Sequence, residues 1–448
     1  MGGAPPGWRE VTIPAHIERL GARFFKKPLA GAASVDVSGR VKEMLSDIRA
    51  NGIEAARRYS QDLDKWSPDS FRCSPREIET AVRSLDEDLR GSLTFALGNI
   101  RRFAGEQLSR FQNMDIEVLP GVRLGHRFKP IRNVGAYVPG GRYPLIASAF
   151  MTIATAKVAG VTRVVAAAPP DRRKGGIDPV QLAAMHMAGA DEIYAIGGVQ
   201  ALAAISLGLE GFGEPVDFLV GAGNAYVTEA KRQLYGEVGI DTLAGPSELA
   251  IIADEHARAD LVAADLLGQA EHGPTSEVVL LTRSEALARS VTAEIDRQLQ
   301  VLDTAATASV AWRDYGAIIL ADDDETLVKL SDAIATEHLE IQTQDPEWFF
   351  ERVDSYGTLF VGERSTVAYS DKAIGTNHVL PTGRAARYTG GLWVGSFLRM
   401  LTHQRIQGAA GAPVARATLA ISRAEGMTGH GETARRRLDL PEQLRIDT

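Results

Sequence analysis

Val134-Gly-Ala-Tyr-Val138, closed at once by Pro139-Gly-Gly141, is the stretch that decides the fold. It is a short apolar run followed by turn residues and then by a helix-like stretch. The same unit returns at residues 164–168, 192–196 and 216–220, each run followed by Gly or Pro and a helical segment. Such alternation marks βαβ units and a parallel sheet. A second series follows after Gly245, at residues 249–253, 278–281, 317–320 and 358–361. The fold predicted is α/β, with two related halves.

Outward from this centre the period changes. Val41, Met44, Leu45 and Ile48 recur at helical spacing, and a second run carries Ile78, Val82, Leu85, Leu89 and Leu93, so the first ~125 residues read as helices. The apolar window 144–161, interrupted by Lys157, reads as a buried helix, not a membrane span. From Arg384 onward Gly390-Gly-Leu-Trp393 leads to an Ala-rich helical tail at 414–426 and an Arg-rich end. A tail this amphipathic is either an ordinary packing helix or a cover for another surface.

The chain has 448 residues, 45% hydrophobic and 24% charged, enough for two or three ordinary cores. A net charge of −8 supplies no basic field for nucleic acid or an anionic membrane, which leaves a small molecule as the expected partner. The single cysteine, Cys73, excludes a disulfide framework and thiolate metal sites, and fits a reducing cytoplasm. The N-terminus lacks the charged start and apolar run of a signal peptide.

Several polar segments carry candidate chemistry. Gln269 and His272 are three apart near the end of a helical stretch, where one ion can touch both. Asp371, His378 and His430 lie in other Gly- or Pro-marked segments. Glu337-His338 offers a water-activating carboxylate beside a proton-transfer imidazole, on an extended segment where neighbouring side chains face opposite ways. Glycines cluster at Pro139-Gly-Gly, Gly197-Gly198, Gly221-Ala-Gly-Asn224 and Gly245-Pro-Ser-Glu248, where strands are expected to end. Backbone N–H groups at such turns approach phosphates, although none completes the G-x-G-x-x-G pattern. Glu425 and His430 share one site only if a helix breaks between them, as Gly426 and Gly429 allow.

Taken together these segments resemble the histidinol dehydrogenase family from about Val41 to His430. The matching stretches include Val134-Gly-Ala-Tyr-Val-Pro-Gly-Gly141, Gly197-Gly-Val-Gln200, Gly223-Asn-Ala-Tyr226, Ala244-Gly-Pro-Ser-Glu248, Gln269-Ala-Glu-His-Gly-Pro274, Glu337-His-Leu-Glu-Ile341, Gly375-Thr-Asn-His378 and Glu425-Gly-Met-Thr-Gly-His430. The resemblance implies zinc ligands at Gln269, His272, Asp371 and His430, one ion per protomer. It implies an acid–base pair at Glu337 and His338, substrate contacts at Ser247, His378 and Glu425, and NAD contacts at Tyr137, Gln200 and Asn224. Also implied are two incomplete Rossmann-like domains in a domain-exchanged homodimer, with Glu425 and His430 reaching the partner's site. On this basis 1–35 is an N-terminal arm, 36–133 with 248–385 one α/β domain, 134–247 the other, and 386–448 the helical tail. The reaction implied is a two-step, NAD-dependent oxidation of a primary alcohol to a carboxylate through a retained aldehyde.

Departures bear on the substrate. Ala222 and Thr336 each replace a Pro usual in the family, and Lys372 follows Asp371 where histidinol enzymes usually carry an aromatic. A cation there suits an anion, with Arg142, Arg384 and Arg387 as further candidates. Trp66-Ser-Pro68, Asp371-Lys372 and Arg387-Tyr-Thr-Gly-Gly-Leu-Trp-Val394 resemble the sulfopropanediol dehydrogenase branch. The expected substrate is therefore 2,3-dihydroxypropane-1-sulfonate, giving sulfolactate, with L-histidinol to L-histidine as the alternative because Ser247 is retained. A non-catalytic dinucleotide- or metal-binding protein is the remote alternative, opposed by the filled catalytic positions.

Overall fold

The structure is a computed structural model that describes residues 8–10, 35–140, 144–171 and 173–438, with the backbone alone for 8–10, 35 and 36. Arg142 and most of the expected arm 1–35 lie outside the described residues. The chain divides into two compact units. One holds 131–396 with the residues up to Gly105, and the other 106–130 with 397 onward.

In the first unit, strand β1 (Trp8–Glu10) lies at a sheet edge described below. In the second unit β2 (Met114–Leu119) and β3 (Val122–Pro130) form an antiparallel pair. Back in the first unit, β4 (Asn133–Tyr137), β5 (Arg163–Ala168), β6 (Glu192–Ala195), β7 (Phe218–Val220) and β8 (Gly239–Ile240) make a parallel sheet in the order β6-β5-β4-β7-β8. Next come β9 (Glu248–Ala253), β10 (Glu277–Thr282), β11 (Gly316–Ala321), β12 (His338–Gln342) and β13 (Thr358–Val361), parallel in the order β11-β10-β9-β12-β13. β1 pairs antiparallel with β11. Both sheets grow outward from their first strand in the same sense, reversing between β4 and β7 in one and between β9 and β12 in the other. β14 (Leu398–Ile406) returns to the second unit and pairs antiparallel with β3.

Burial explains the continuous apolar runs. In β9, Leu249, Ile251 and Ala253 pack with Val262 and Leu266 of the helix Ala259–Ala270, while Ala250 and Ile252 pack with Leu327 and Leu330 of the helix Asp324–Ile334. Helices cover both faces, so neither set of alternate residues is polar. The window at 144–161 is a buried helical stretch, as expected, from Ile146 to Val158 with a π-helical turn at Phe150–Ala154. Among the described residues no helix is long and apolar enough to cross a membrane.

Three expectations need correction. The helix Val35–Tyr59 was grouped with the later strands, yet Val41, Met44, Leu45 and Ile48 pack with Tyr137, Val165, Leu202 and Leu219 around the β4–β8 sheet. Residues 114–130 are strands, not helix; Met114, Ile116 and Val118 alternate with Asp115 and Glu117, a period of two that favours a strand. The tail from 386 likewise contains β14 ahead of the helices Ala412–Ala424 and Thr428–Leu438.

Candidate active site

The parallel sheets of the first unit offer opposite ends. In the β4–β8 sheet the candidate residues lie where strands finish. Tyr137 closes β4, Gly198 and Gln200 open the helix Gly198–Leu207 after β6, and Asn224 caps the helix Ala225–Leu234 after β7. All four line a cleft of about 900 Å³. The buried Tyr137 hydroxyl accepts from Gly198 N at 3.1 Å, and burial pushes its pKa up to about 12. Asn224 Oδ1 accepts from Tyr226 N and Val227 N at 3.0 and 3.2 Å. The Gln200 amide nitrogen donates to Asp64 Oδ2 at 3.0 Å, leaving Oε1 buried without a partner. An acceptor held that way is ready for an N–H or O–H of a ligand.

Glycine is required at one of these turns. Gly221, at φ +118°, would place a Cβ 2.1 Å from the Tyr137 carbonyl oxygen. Its N–H donates to Asp241 Oδ2 at 2.8 Å, and Asp241 in turn pairs with the buried Lys231. The turn beside the cleft is thus locked by a buried ion pair.

In the β9–β13 sheet the candidate residues lie where strands begin. His338 opens β12 beside Leu249 of β9, and Ser247 and Glu337 immediately precede those strands. Gly245-Pro-Ser was expected after a strand that it would terminate; it leads into β9. Glu337 and His338 do not point apart, because Glu337 lies just outside the regular strand. Glu337 Oε2 accepts from the Ser247 hydroxyl at 2.6 Å and from Glu248 N at 2.9 Å, and lies 3.4 Å from His338 Nδ1. His338 Nδ1 donates to Glu248 O at 2.9 Å, leaving Nε2 as the basic atom, buried and without a partner. Burial opposes a charged imidazole here, but the Glu337 carboxylate outweighs it and holds the pKa up at about 9.

Next to this pair, His272 Nε2 lies 3.3 Å from Asp371 Oδ2. Burial works against the Asp371 carboxylate, yet the hydrogen bond from His272 and the nearby His378 and His338 hold its pKa well below the usual range. His378 Nδ1 donates to Asp371 O at 3.1 Å, so its Nε2 accepts from the Ser148 hydroxyl, also at 3.1 Å. Burial lowers the His378 pKa, Asp371 opposes that, and Lys372 adds to it by charge. Lys372 itself is exposed.

Gln269 bears on a metal. Its amide nitrogen donates to Ser247 Oγ, whose proton is committed to Glu337, so Oε1 remains buried and unpartnered. An amide oxygen, an imidazole and a carboxylate form a hard-to-borderline donor set that fits a divalent ion such as zinc. Among the described residues no group of three or more His, Cys, Asp and Glu forms such a cage, the third donor being an amide. Glu425 and His430 belong to the second unit, where both are exposed. The helix does end between them, with Gly426 at φ +73°.

Sequence reasoning missed Ser148, hidden in an apolar window, and Asp64, in the π-helical turn Ser60–Asp64. A Ser facing a motif histidine could not be found from spacing alone.

This is an α/β protein with parallel sheets whose strand ends gather a cleft and a polar acid–base cluster. The chain belongs to the histidinol dehydrogenase family, whose model matches residues 30–438. A histidinol dehydrogenase homolog of Shouchella clausii is 48% identical, covering 91% of this chain and 97% of its own. The sulfopropanediol 3-dehydrogenase of Ruegeria pomeroyi is 46% identical, with coverages of 90% and 92%. The crystal structure of histidinol dehydrogenase from Elizabethkingia anophelis superposes with a TM-score of 0.87 at 32% identity, covering 97% of this chain and 96% of that one.

Proposed function

We propose that this protein is an NAD-dependent, zinc-associated dehydrogenase that oxidises a primary alcohol to a carboxylate in two steps through a retained aldehyde. The observation that carries the reading is the buried, unpartnered Nε2 of His338, left free because Nδ1 is engaged by Glu248 O, with Glu337 beside the ring and the Asp371 charge acting on it. Bound zinc would polarise the substrate oxygen and NAD would take the hydride. Gln269, His272 and Asp371, with His430, would hold the ion; Tyr137, Gln200 and Asn224 would contact NAD.

In the neutral form that a cation beside Asp371 would favour, His338 Nε2 takes the hydroxyl proton in the first oxidation. Glu337 then accepts a proton from the water that adds to the aldehyde, with Ser247 keeping its carboxylate in place. His378, fixed by Ser148 and Asp371 O, orients the substrate together with Ser247 and Glu425. The exposed Glu425 and His430 support a domain-exchanged homodimer in which two subunits share each site. Two incomplete Rossmann-like domains, one built on the β4–β8 sheet together with the helix Val35–Tyr59 and the other on the β9–β13 sheet, remain the architectural reading.

For the substrate, the charge of Lys372 on His378 supports an anionic alcohol, 2,3-dihydroxypropane-1-sulfonate, and the 46% identity to a sulfopropanediol 3-dehydrogenase agrees. L-histidinol is the second reading, favoured by Ser247 and by 42% identity to a histidinol dehydrogenase of Caulobacter vibrioides. Steady-state assays of zinc-loaded protein with NAD and each alcohol decide between them. Turnover of the sulfonate is expected; robust turnover of histidinol with none of the sulfonate would overturn the substrate while leaving the reaction type.

A further inference from the structure

Strand β12 places His338, Glu340 and Gln342 on one face, because alternate residues of a strand share a side. Glu340 is fully buried. The Gln342 amide nitrogen donates to Glu340 Oε2 at 3.0 Å and to Asp265 Oδ2 at 2.8 Å, bridging two carboxyl groups from different elements. Asp265 belongs to the helix Ala259–Ala270, and its Oδ1 accepts from the Thr366 hydroxyl at 2.8 Å. Glu340 Oε1 accepts from Val367 N at 3.0 Å, the first N–H of the short helix Val367–Lys372. Glu340 Oε2 and Asp265 Oδ2 are held side by side on the one Gln342 amide nitrogen.

Two carboxyl groups on one amide nitrogen, Glu340 buried and Asp265 half-buried, cannot both ionise without strong repulsion, so one proton stays between them. Burial raises the Asp265 pKa, and burial with the Asp265 charge raises that of Glu340 to about 8. The groups acting on the pair from the packed elements are Gln342, Thr366, the Val367 N–H and each carboxyl on the other.

Three elements meet at this pair, and each delivers a candidate site residue. β12 carries His338, the helix Ala259–Ala270 carries Gln269 one turn beyond Asp265, and the helix Val367–Lys372 carries Asp371 one turn beyond Val367. We propose that Asp265 and Glu340 are positioning residues, a proton-sharing clamp that fixes β12 and the two helices so that His338, Gln269 and Asp371 converge, and that loss of the shared proton loosens it. The inference rests on the functional reading only for its catalytic consequence.

A carboxyl raised above its ordinary 4.5 stabilises the fold fully below that value and loses the contribution as pH rises through about 8. Infrared titration of the wild type between about pH 6 and about pH 10 should remove one protonated-carboxyl C=O band. That band should be absent in Glu340→Gln. The fall in Tm over this range should flatten in Glu340→Gln or Asp265→Asn, where an amide keeps a hydrogen bond at any pH. The alkaline fall of kcat should move up by about one unit or more in either variant. Absence of a carboxyl band titrating in the wild type would overturn the clamp even if neither variant folds. So would variants whose Tm and alkaline kcat fall match the wild type. Infrared and melting need no substrate, so failure to oxidise either alcohol would count against the functional reading and not against the clamp.

Discussion

The β4–β8 sheet and the β9–β13 sheet are wound alike, yet they expose opposite ends to chemistry. In the first, helices begin at the candidate residues, with Gly198 N on the Tyr137 hydroxyl and Asn224 as an N-cap. In the second, helices end there: Ala259–Ala270 stops at Gln269 and His272, and Asp324–Ile334 stops just before Glu337. Helix N-termini carry partial positive charge and C-termini partial negative charge. One edge therefore suits phosphates, and the other suits a metal ion and an imidazolium. Burial opposes the charge on His338, but the carboxylates of Glu337 and Asp371 and the Glu248 carbonyl on this edge hold its pKa up. Strand polarity thus gives one winding pattern two edges of opposite electrostatic preference.

The sharpest way to break this contrast is to remove the second edge's acid–base groups. His338→Ala should lower turnover by ~10²–10⁴-fold, measured as NADH release. Glu337→Gln should abolish alcohol-to-acid turnover but keep much of the alcohol–aldehyde interconversion; equal loss of both half-reactions would contradict the division of roles. Lys372→Tyr comes next, with sulfonated-diol activity falling about ten- to a hundredfold as a charged hydrogen-bond partner is lost, and histidinol activity unchanged or improved.

A smaller effect sharpens the cation argument. By NMR, His338 in metal-free protein should titrate at about 9. Zinc should lower that pKa by roughly one unit or more, since a cation beside Asp371 repels an imidazolium. An unchanged value would place no metal there. Its raised pKa stabilises the metal-free fold fully below about 6.5, a contribution lost as pH rises through about 9. The smallest change tests the first edge: Asn224→Ala should cost about 1 kcal/mol through the lost cap and raise the NAD KM, with kcat nearly intact.

The strands of both sheets were legible because burial on two faces leaves an unbroken apolar run between turn residues. Which end of each strand serves the site was not. Gly221-Ala-Gly-Asn224 and Gly245-Pro-Ser-Glu248 look alike as sequence, yet one follows β7 and the other precedes β9. The break between Glu425 and His430 was readable from glycine chemistry. Asp265 and Glu340 were not, since 57 acidic residues give no sign of which two lose their water. The antiparallel strands of the second unit were not legible because β2 is exposed along its whole length and β14 along most of its own, which leaves no buried apolar run to mark them.

The pairing of β3 with β14 governs when the second unit can fold. Arg399 of β14 donates to the carbonyl of Pro130, 269 residues earlier, so the larger part of the first unit, 131–396, is synthesised between the two strands. Closing so long a loop is slow, and non-local strand pairs form late. Until Leu398–Ile406 leaves the ribosome, the β3 edge stands open as a template for another chain's strand. The order of synthesis thereby makes the C-terminal segment a timekeeper of assembly, and a chain cut short before β14 should aggregate through that edge even with both parallel sheets complete.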